Sequence, residues 1–196
     1  MPRKYDMSRR AAARERTRRR IVEATAKLHG ERGVFGTSWR AIAEEADVSV
    51  ATVYSHFPSL DQLLPACGQL VMERARPPSL DAAGELVGDT DDLRERLARV
   101  ARELFGFYER GGPHLEVDAR ERELPGVRAW EESQRATVLA FVRKALGGRA
   151  DERQARVVSA FFDLPTYRAL RIRGVSPKKA AEAVAEIAAC LIEREE

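Results

Sequence analysis

One short stretch of the sequence collects side chains that suit the groove of a nucleic acid. Between Thr37 and Leu64 it offers small apolar groups, hydroxyls, a phenol and an imidazole close together. Methyl contacts and hydrogen bonds from such groups read the bases and phosphates of DNA. The residues concerned are Val50, Ala51, Thr52, Tyr54, Ser55 and His56. We expect them to lie on the outer side of one short helix.

Two short helices joined by a tight turn would hold these side chains. Thr37 and Ser38 can cap the first helix, and Ser49 can cap the second. The apolar residues of the first helix follow the i, i+1, i+4 spacing of one buried face, at Ile42, Ala43 and Ala46. Val53 and Phe57 are the inward positions of the second helix. The pattern therefore predicts a helix-turn-helix.

Basic residues are concentrated at the same end of the chain. Residues 1–56 hold 12 Lys+Arg and 7 Asp+Glu, whereas the remaining residues hold 22 and 24. Such asymmetry is expected of a nucleic-acid-binding head on a nearly neutral body. Arg3 and Lys4 belong to an arm that could contact phosphates or the minor groove, or could be a solvated tail. Arg40 is the candidate for a polar base contact, because arginine can pair with both acceptors of guanine.

These residues give the sequence its resemblance to the TetR family of transcriptional regulators. The matching pattern comprises Ile21, Leu28, Gly33, Gly36, Thr37, Ser38, Ile42, Ala43, Ala46, Val48, Ser49, Thr52, Tyr54, His56, Phe57, Asp61 and Leu63. The chain departs from the family at Asp47 (usually Gly), Ala51 (usually Gly or Pro) and Leu60 (usually Lys). Asp47 must adopt a turn conformation that glycine takes freely. Leu60 removes an expected phosphate contact.

The resemblance implies an all-α protein with two functional parts. Residues 1–57 would form the arm and a three-helix DNA-binding head, and residues 58–196 a larger helical body for ligand binding and dimerisation. The implied partners are a double-stranded DNA operator, a small-molecule effector and a second copy of the chain. The predicted DNA-binding residues are Thr37, Ser38, Arg40, Val50, Ala51, Thr52, Tyr54, Ser55 and His56.

Apolar periodicity predicts four or five helices in the body. One is marked by residues that recur at steps of four and three, namely Leu93, Leu97, Val100, Leu104 and Phe107. The other helical segments are predicted at about 113–123, 127–145, 151–173 and 177–193. Pro165 lies inside the third of these and predicts a kink there.

The last two helices carry apolar seams that could complete the body's own core or pair with their copies as a four-helix dimer interface. The resemblance favours the dimer. So does the size of one head, since a two-fold pair can read a palindrome. The predicted interface residues are Val157, Phe161, Leu164, Leu170, Val184, Ile187, Ala188 and Leu191.

Most aromatic residues of the body are expected to be core, because aromatic residues at helical spacing usually pack. The resemblance implies that some of them line a small-molecule pocket, with polar groups that orient the ligand. The candidate ligand-binding residues are Phe105, Tyr108, His114, Trp130, Gln134, Phe141 and Phe162.

Four residues look superficially like a metal or acid-base cluster: His114, Glu116, Asp118 and Glu121. His114 and Asp118 could share a helix face, but two ligands do not make a metal site. The arginines beside them favour a solvated, ion-paired face. Cys67 and Cys190 are too isolated for a disulfide framework, so we expect reduced, packed thiols. We predict no metal, no cofactor and no catalytic residue, since no nucleophile motif or phosphate-binding glycine loop is found.

The sequence lacks a long apolar run, and its first residues lack the apolar core of a signal peptide, so we expect a cytoplasmic protein. We predict a sequence-specific DNA-binding transcriptional regulator, a repressor released from its palindromic operator by a small, largely hydrophobic ligand. Two alternatives stay open, a ligand-independent DNA-binding protein and an enzyme in the body. The missing catalytic constellation weighs against the enzyme.

Overall fold

The computed structural model describes residues 7–194, and these residues form helices and connecting segments without any β-strand. The helices are α1 (Met7–Arg32), α2 (Trp39–Glu45), α3 (Val50–His56), α4 (Leu60–Ala75), α5 (Ala83–Val87), α6 (Leu93–Gly111), α7 (Pro125–Leu146), α8 (Glu152–Phe161), α9 (Leu164–Ile172) and α10 (Pro177–Glu193). Short 3₁₀ turns occur at Leu80–Ala82, Gly112–Leu115 and Glu121–Glu123. The predicted all-α fold class is confirmed. Over the described range, no helix has the length and apolar character needed to cross a membrane.

The chain packs as two compact units. The head unit joins the described part of Met1–Arg74 with Gly112–Val127, and the body unit joins Ala75–Gly111 with the described part of Arg128–Glu196. We call Gly112–Val127 the strap. It is separated from α4 by the whole of α5 and α6, yet it packs with the first helices of the chain. The functional division after residue 57 stays a prediction.

Apolar residues from α1 to α4 form the core of the head unit. Ile21, Val53 and Leu63 have no exposed surface. Burying side chains of this size contributes about 1.5–3 kcal/mol each. The complete set of buried residues in this cluster is Ile21, Val22, Ala24, Leu28, Ile42, Ala43, Ala46, Val53, Phe57 and Leu63. The inward faces predicted for both helices of the helix-turn-helix are therefore confirmed.

The body unit is built around α6 and α10, which pack along one another. The apolar face predicted for α6 is confirmed, since all five of its marker residues are buried. The facing side of α10 consists mainly of small residues, which permits a close approach of the two helices. The buried residues of α10 are Ala180, Ala181, Val184, Ala185, Ala188, Ala189 and Ile192.

The segment predicted as one kinked helix over residues 151–173 is two helices. Helix α8 ends at Phe161, Asp163 takes the extended conformation of an N-cap, and Pro165 lies in the first turn of α9. A proline at this position loses no helical hydrogen bond, whereas inside a helix it removes one and clashes with the preceding turn. Starting a new helix is the less costly solution. The short helix α5 was not anticipated from the sequence.

Candidate nucleic-acid interface

Helix α3 presents one face outward and holds the other in the core. The Ser49 hydroxyl caps it by accepting the Thr52 N–H at 3.0 Å, and the two hydroxyls of these residues also share a hydrogen bond at 2.8 Å. Val50 and Tyr54 are 37% and 46% exposed. Ala51 and Ser55 are exposed as well, while Thr52 and His56 are half-buried. The structure thus brings the six predicted residues of this helix onto an accessible surface.

The Tyr54 ring is held in place by a residue of α2. It stacks on Trp39 with ring centroids 4.7 Å apart and planes inclined by 21°. Trp39 itself is partly buried and packs against the head core. A stacked pair of this kind contributes about 0.5–1.5 kcal/mol beyond its buried area. The phenol is therefore a large exposed group whose orientation is fixed before any ligand arrives.

The N-terminus of α2 carries the other predicted contacts. The Ser38 hydroxyl accepts the Ala41 N–H at 3.1 Å, so it caps the helix. The Thr37 hydroxyl donates to the Gly33 carbonyl at 2.9 Å and closes the loop that precedes the cap. Arg40 is exposed and its Nε donates to Glu44 at 2.8 Å within the same helix. This ion pair lies in water and is weakly held, so the guanidinium is available to an anionic partner.

Arg20 has a role that the sequence did not reveal. Its Nη2 donates to the carbonyls of Ala46 and Asp47, both at 2.7 Å, at the end of α2. Asp47 has φ of +52°, the left-handed conformation expected at a position where the family has glycine. A cation on the last carbonyls of a helix also complements its dipole. Arg20 therefore stabilises the turn rather than lying free on the basic surface. A non-glycine residue in the turn was the only signal that such support would be needed.

Two other arginines of α1 place positive charge beside the end of α3. Burial lowers the pKa of His56, and the nearby charges of Arg14 and Arg18 lower it further, so its ring is neutral at pH 7. The Arg18 guanidinium lies 5.1 Å from the centroid of the Phe57 ring. Basic groups of α1 thus lie next to the outward helix, as an anion-binding surface requires. Arg3 and Lys4 lie outside the described residues.

Three aromatic residues of the body, Phe105, Tyr108 and Tyr167, form a buried cluster. Ring centroids of Phe105 and Tyr167 are 4.6 Å apart, and Tyr108 lies 6.0 Å from the first and 5.8 Å from the second. The Tyr108 hydroxyl donates to the Phe162 carbonyl at 3.0 Å. Of the candidate pocket residues, Phe105, Tyr108, Phe141 and Phe162 are buried, and Trp130 and Gln134 on α7 are half-buried. His114 is part of the head unit, where its Nε2 lies 2.8 Å from the Ala26 carbonyl oxygen.

Asp163 joins the aromatic cluster as a charged neighbour. It is half-buried, its side chain makes no cap hydrogen bond to α9, and its charge acts on Tyr108. Burial raises the pKa of Asp163 to about 6, although Arg135 opposes the shift. Burial also raises the pKa of Tyr108, so its hydroxyl keeps its proton. No pattern in the sequence indicated a role for Asp163, which precedes a leucine and a proline.

The residues predicted for a dimer interface divide into three groups. Val157 and Ile187 are 46% and 51% exposed. Val184 and Ala188 are buried in the core of the body unit. The half-buried members are Phe161, Leu164, Leu170 and Leu191. Val157 and Ile187 are therefore the predicted interface residues that are most accessible, and the interface itself stays a prediction.

In the cluster at His114, Glu116, Asp118 and Glu121, the first three residues are exposed, as the solvated face indicated by the sequence requires, but Glu121 departs from it. Glu121 is only 5% exposed, and its carboxylate accepts backbone N–H groups. Over the described residues, no group of three or more potential ligands could hold a metal ion.

The thiol of Cys67 is buried beside His29, and burial raises its pKa to about 11, so it is unreactive at pH 7.

Comparison with known proteins shows what this interface is similar to. Residues 21–67 match the family model of bacterial regulatory proteins, tetR family. The HTH-type transcriptional repressor KstR of Rhodococcus jostii (strain RHA1) is 44% identical over 52 residues, which cover 26% of this chain and 24% of KstR. KstR of Mycolicibacterium smegmatis is 47% identical over 53 residues, covering 27% and 26%. The matched region thus spans about a quarter of these relatives.

Solved structures extend the likeness to most of the chain. The multidrug binding protein EbrR, solved in complex with imidazole, is 25% identical, with a TM-score of 0.61 over 87% of this chain and 93% of that one. A TetR family transcription regulator from Marinobacter aquaeolei VT8 is 23% identical, with a TM-score of 0.54 over 93% and 98%, and so shares the fold. Residues 21–67 therefore resemble bacterial regulatory proteins of the tetR family, and the fold of the chain resembles that of a solved member.

Proposed function

We propose that the protein is a sequence-specific transcriptional regulator that binds double-stranded DNA through α3. The observation that carries the proposal is the fixed Tyr54 ring, exposed between Val50 and Ser55 on a capped helix whose opposite face is core. A helix of this kind can enter the major groove, where hydroxyls, methyl groups and a phenol contact bases and phosphates. Thr37, Ser38 and Arg40 would contact DNA from the N-terminus of α2.

We infer that it acts as a repressor and as a homodimer. Both KstR relatives are named HTH-type transcriptional repressors. One α3 of seven residues touches too few base pairs for high specificity, whereas two heads related by a two-fold axis read a palindrome. The exposed Val157 and Ile187 would join the interface between two copies. The expected location is the cytoplasm, where bacterial DNA lies.

A small, largely hydrophobic ligand bound in the body would release the repressor from its operator. Support comes from the aromatic cluster around Tyr108 and from the structural likeness to EbrR, which is named a multidrug binding protein. The ligand would be bound among Phe105, Tyr108, Trp130, Gln134, Phe141 and Phe162. A ligand-independent DNA-binding protein is the second candidate, because Phe105, Phe141 and Phe162 are at most 1% exposed and pack as an ordinary core. An enzyme is not proposed.

Selection of duplexes from a random pool by the purified protein, followed by fluorescence anisotropy on the selected duplex, tests the DNA-binding role. The proposal expects enrichment of a palindrome and a stoichiometry of two chains per duplex. Leu80→Ala, which truncates an apolar residue of the body that is 47% exposed, is the control for truncation of Tyr54. A pool that shows no enrichment would refute sequence-specific binding. A thermal-shift screen of hydrophobic compounds then separates the ligand-responsive regulator from the ligand-independent one.

A further inference from the structure

The strap holds the C-terminal part of α1 from a distant point in the sequence. His114 in the strap lies against one side of α1 that carries no large side chain, since Ala26 and Gly30 are spaced i, i+4. The imidazole Nε2 donates to the Ala26 carbonyl at 2.8 Å. A Cβ atom placed on Gly30 would lie 2.8 Å from this Nε2 and 2.9 Å from Cε1. Gly30 therefore leaves the space that the ring occupies.

Glu121 makes the second attachment and is the buried charge of the strap. Its Oε1 accepts the Val34 N–H at 2.6 Å, and its Oε2 accepts the Asp118 N–H at 3.1 Å. Asp118 in turn accepts the N–H groups of Arg120 and Glu121 at 2.8 and 2.7 Å, which fixes the turn that presents the carboxylate. A buried carboxylate is retained only where strong donors replace its water. The Val34 N–H is one of the two that do so here.

The Val34 bond acts on the loop that leads into the DNA interface. Thr37 donates its N–H to the Val34 carbonyl at 3.2 Å and its hydroxyl to the Gly33 carbonyl at 2.9 Å. Gly33 has φ of +72°, and a Cβ there would lie 3.1 Å from Glu121 Oε1. Ser38, the cap of α2, follows directly. A short chain of hydrogen bonds therefore runs from the strap carboxylate to the start of α2.

We propose that Glu121 is a positioning residue of the DNA interface, which fixes the loop between α1 and α2 and thereby places Thr37, Ser38 and Arg40 against the operator. This inference rests on the proposed DNA-binding function. Glu121 touches no base or phosphate in this role. It lies 87 residues from its partner Val34 and outside the region that matches the family model, so the helix-turn-helix alone is not the complete interface.

Glu121→Gln separates positioning from simple electrostatics. The glutamine keeps the size of the side chain and its oxygen can still accept one N–H, but its amide group is a donor and cannot accept the second. Removal of a negative charge near a polyanion should strengthen DNA binding, whereas loss of positioning should weaken it, so the two effects have opposite signs. Glu123→Gln is the matched control, because Glu123 is an exposed residue of the same strap.

The experiment measures two quantities on each full-length variant, operator affinity by fluorescence anisotropy at fixed salt and hydrogen exchange at the Val34 amide. For Glu121→Gln we expect affinity to fall about tenfold and Val34 to exchange about tenfold faster. Glu123→Gln should bind as tightly as the wild type or slightly more tightly, with unchanged exchange. His114→Ala, which frees the strap at Ala26, should weaken binding in the same direction and serves if Glu121→Gln does not fold.

Three different results would overturn the proposal. If the wild type selects an operator and Glu121→Gln binds it as Glu123→Gln does while Val34 exchanges faster, the loop is released without consequence and Glu121 positions nothing. If the wild type selects no DNA, the proposed function fails and this inference fails with it. A tenfold loss of affinity with unchanged exchange at Val34 would also contradict it, because the loop would then be held without Glu121.

Discussion

Truncation of Tyr54 should damage DNA binding far more than folding. Tyr54→Ala removes the ring that stacks on Trp39 at 4.7 Å. The stacked pair is worth about 0.5–1.5 kcal/mol. Because the tyrosine is 46% exposed, the buried area lost in addition is smaller than for a fully buried tyrosine. A loss of about 1 kcal/mol lowers the melting temperature of a protein of this size by roughly 2–4 °C. Loss of a groove contact, in contrast, weakens operator binding by about 1–3 kcal/mol, or about 5- to 150-fold.

Tyr54→Phe divides the effect between the ring and the hydroxyl. The phenylalanine keeps the stack on Trp39, so its melting temperature should equal that of the wild type. If affinity nevertheless falls, the phenol binds DNA through its hydroxyl, and if affinity is kept, the ring makes the contact. Thr52→Ala, which keeps α3 capped by Ser49, should weaken binding by about 1–3 kcal/mol as well. Anisotropy titrations on the selected operator give both numbers. Unchanged affinity in Tyr54→Ala and Thr52→Ala would refute α3 as the reading helix.

Three further predictions concern the arm and two buried ionisable groups. Deletion of residues 1–10 should lower affinity for all sequences alike and flatten the salt dependence, since the arm would act on phosphate charge; an unchanged slope would contradict it. Burial, with a smaller effect of His114, lowers the pKa of His29 to about 4 from 6.5, so the unfolded chain binds more protons between these values. Stability is therefore complete above pH 6.5 and should fall by about 3 kcal/mol towards pH 4, as measured by urea unfolding, and His29→Phe should remove this part of the dependence. Asp163 behaves oppositely, because its pKa is raised to about 6 and its charged form is disfavoured in the folded state. Asp163→Asn should thus stabilise the protein at pH 8 by about 1 kcal/mol after allowance for partial exposure, and not at pH 4, where the carboxyl is neutral.

The sequence predicts the helix-turn-helix well because its determinants are local. Ser38 and Ser49 cap helices within three residues of themselves, and the inward face of α3 needs only Val53 and Phe57. The apolar face of α6 follows from its periodicity alone. Even the departure at Asp47 is explained locally, since aspartate tolerates the left-handed conformation that the turn requires.

What the sequence could not predict depends on partners far apart in the chain. Arg20 looked like one more basic residue, and its bonds to the end of α2 span 26 and 27 residues. Glu121 looked like part of a solvated face because its neighbours are arginines, and its partner is a backbone N–H with no side-chain signature. Helices α8 and α9 were read as one because periodicity continues through Pro165, although the backbone begins a new helix there. The dimer interface expected on α8 and α10 stays a prediction.

The strap is synthesised later than the four helices of the head unit, although it packs with them in the folded protein. Ribosomes add about 5–20 residues per second, so the stretch between Arg74 and Gly112 takes roughly 2–8 s to emerge after the first four helices are complete. During this interval the nascent chain carries a finished helix-turn-helix whose Val34 N–H has no carboxylate to bind. At this stage we expect the nascent chain to have a folded α3, while the loop between α1 and α2 is not yet fixed by Glu121. We expect full affinity for the operator only after Glu121 has been translated. An incomplete chain still on the ribosome should therefore bind the operator more weakly than the finished protein.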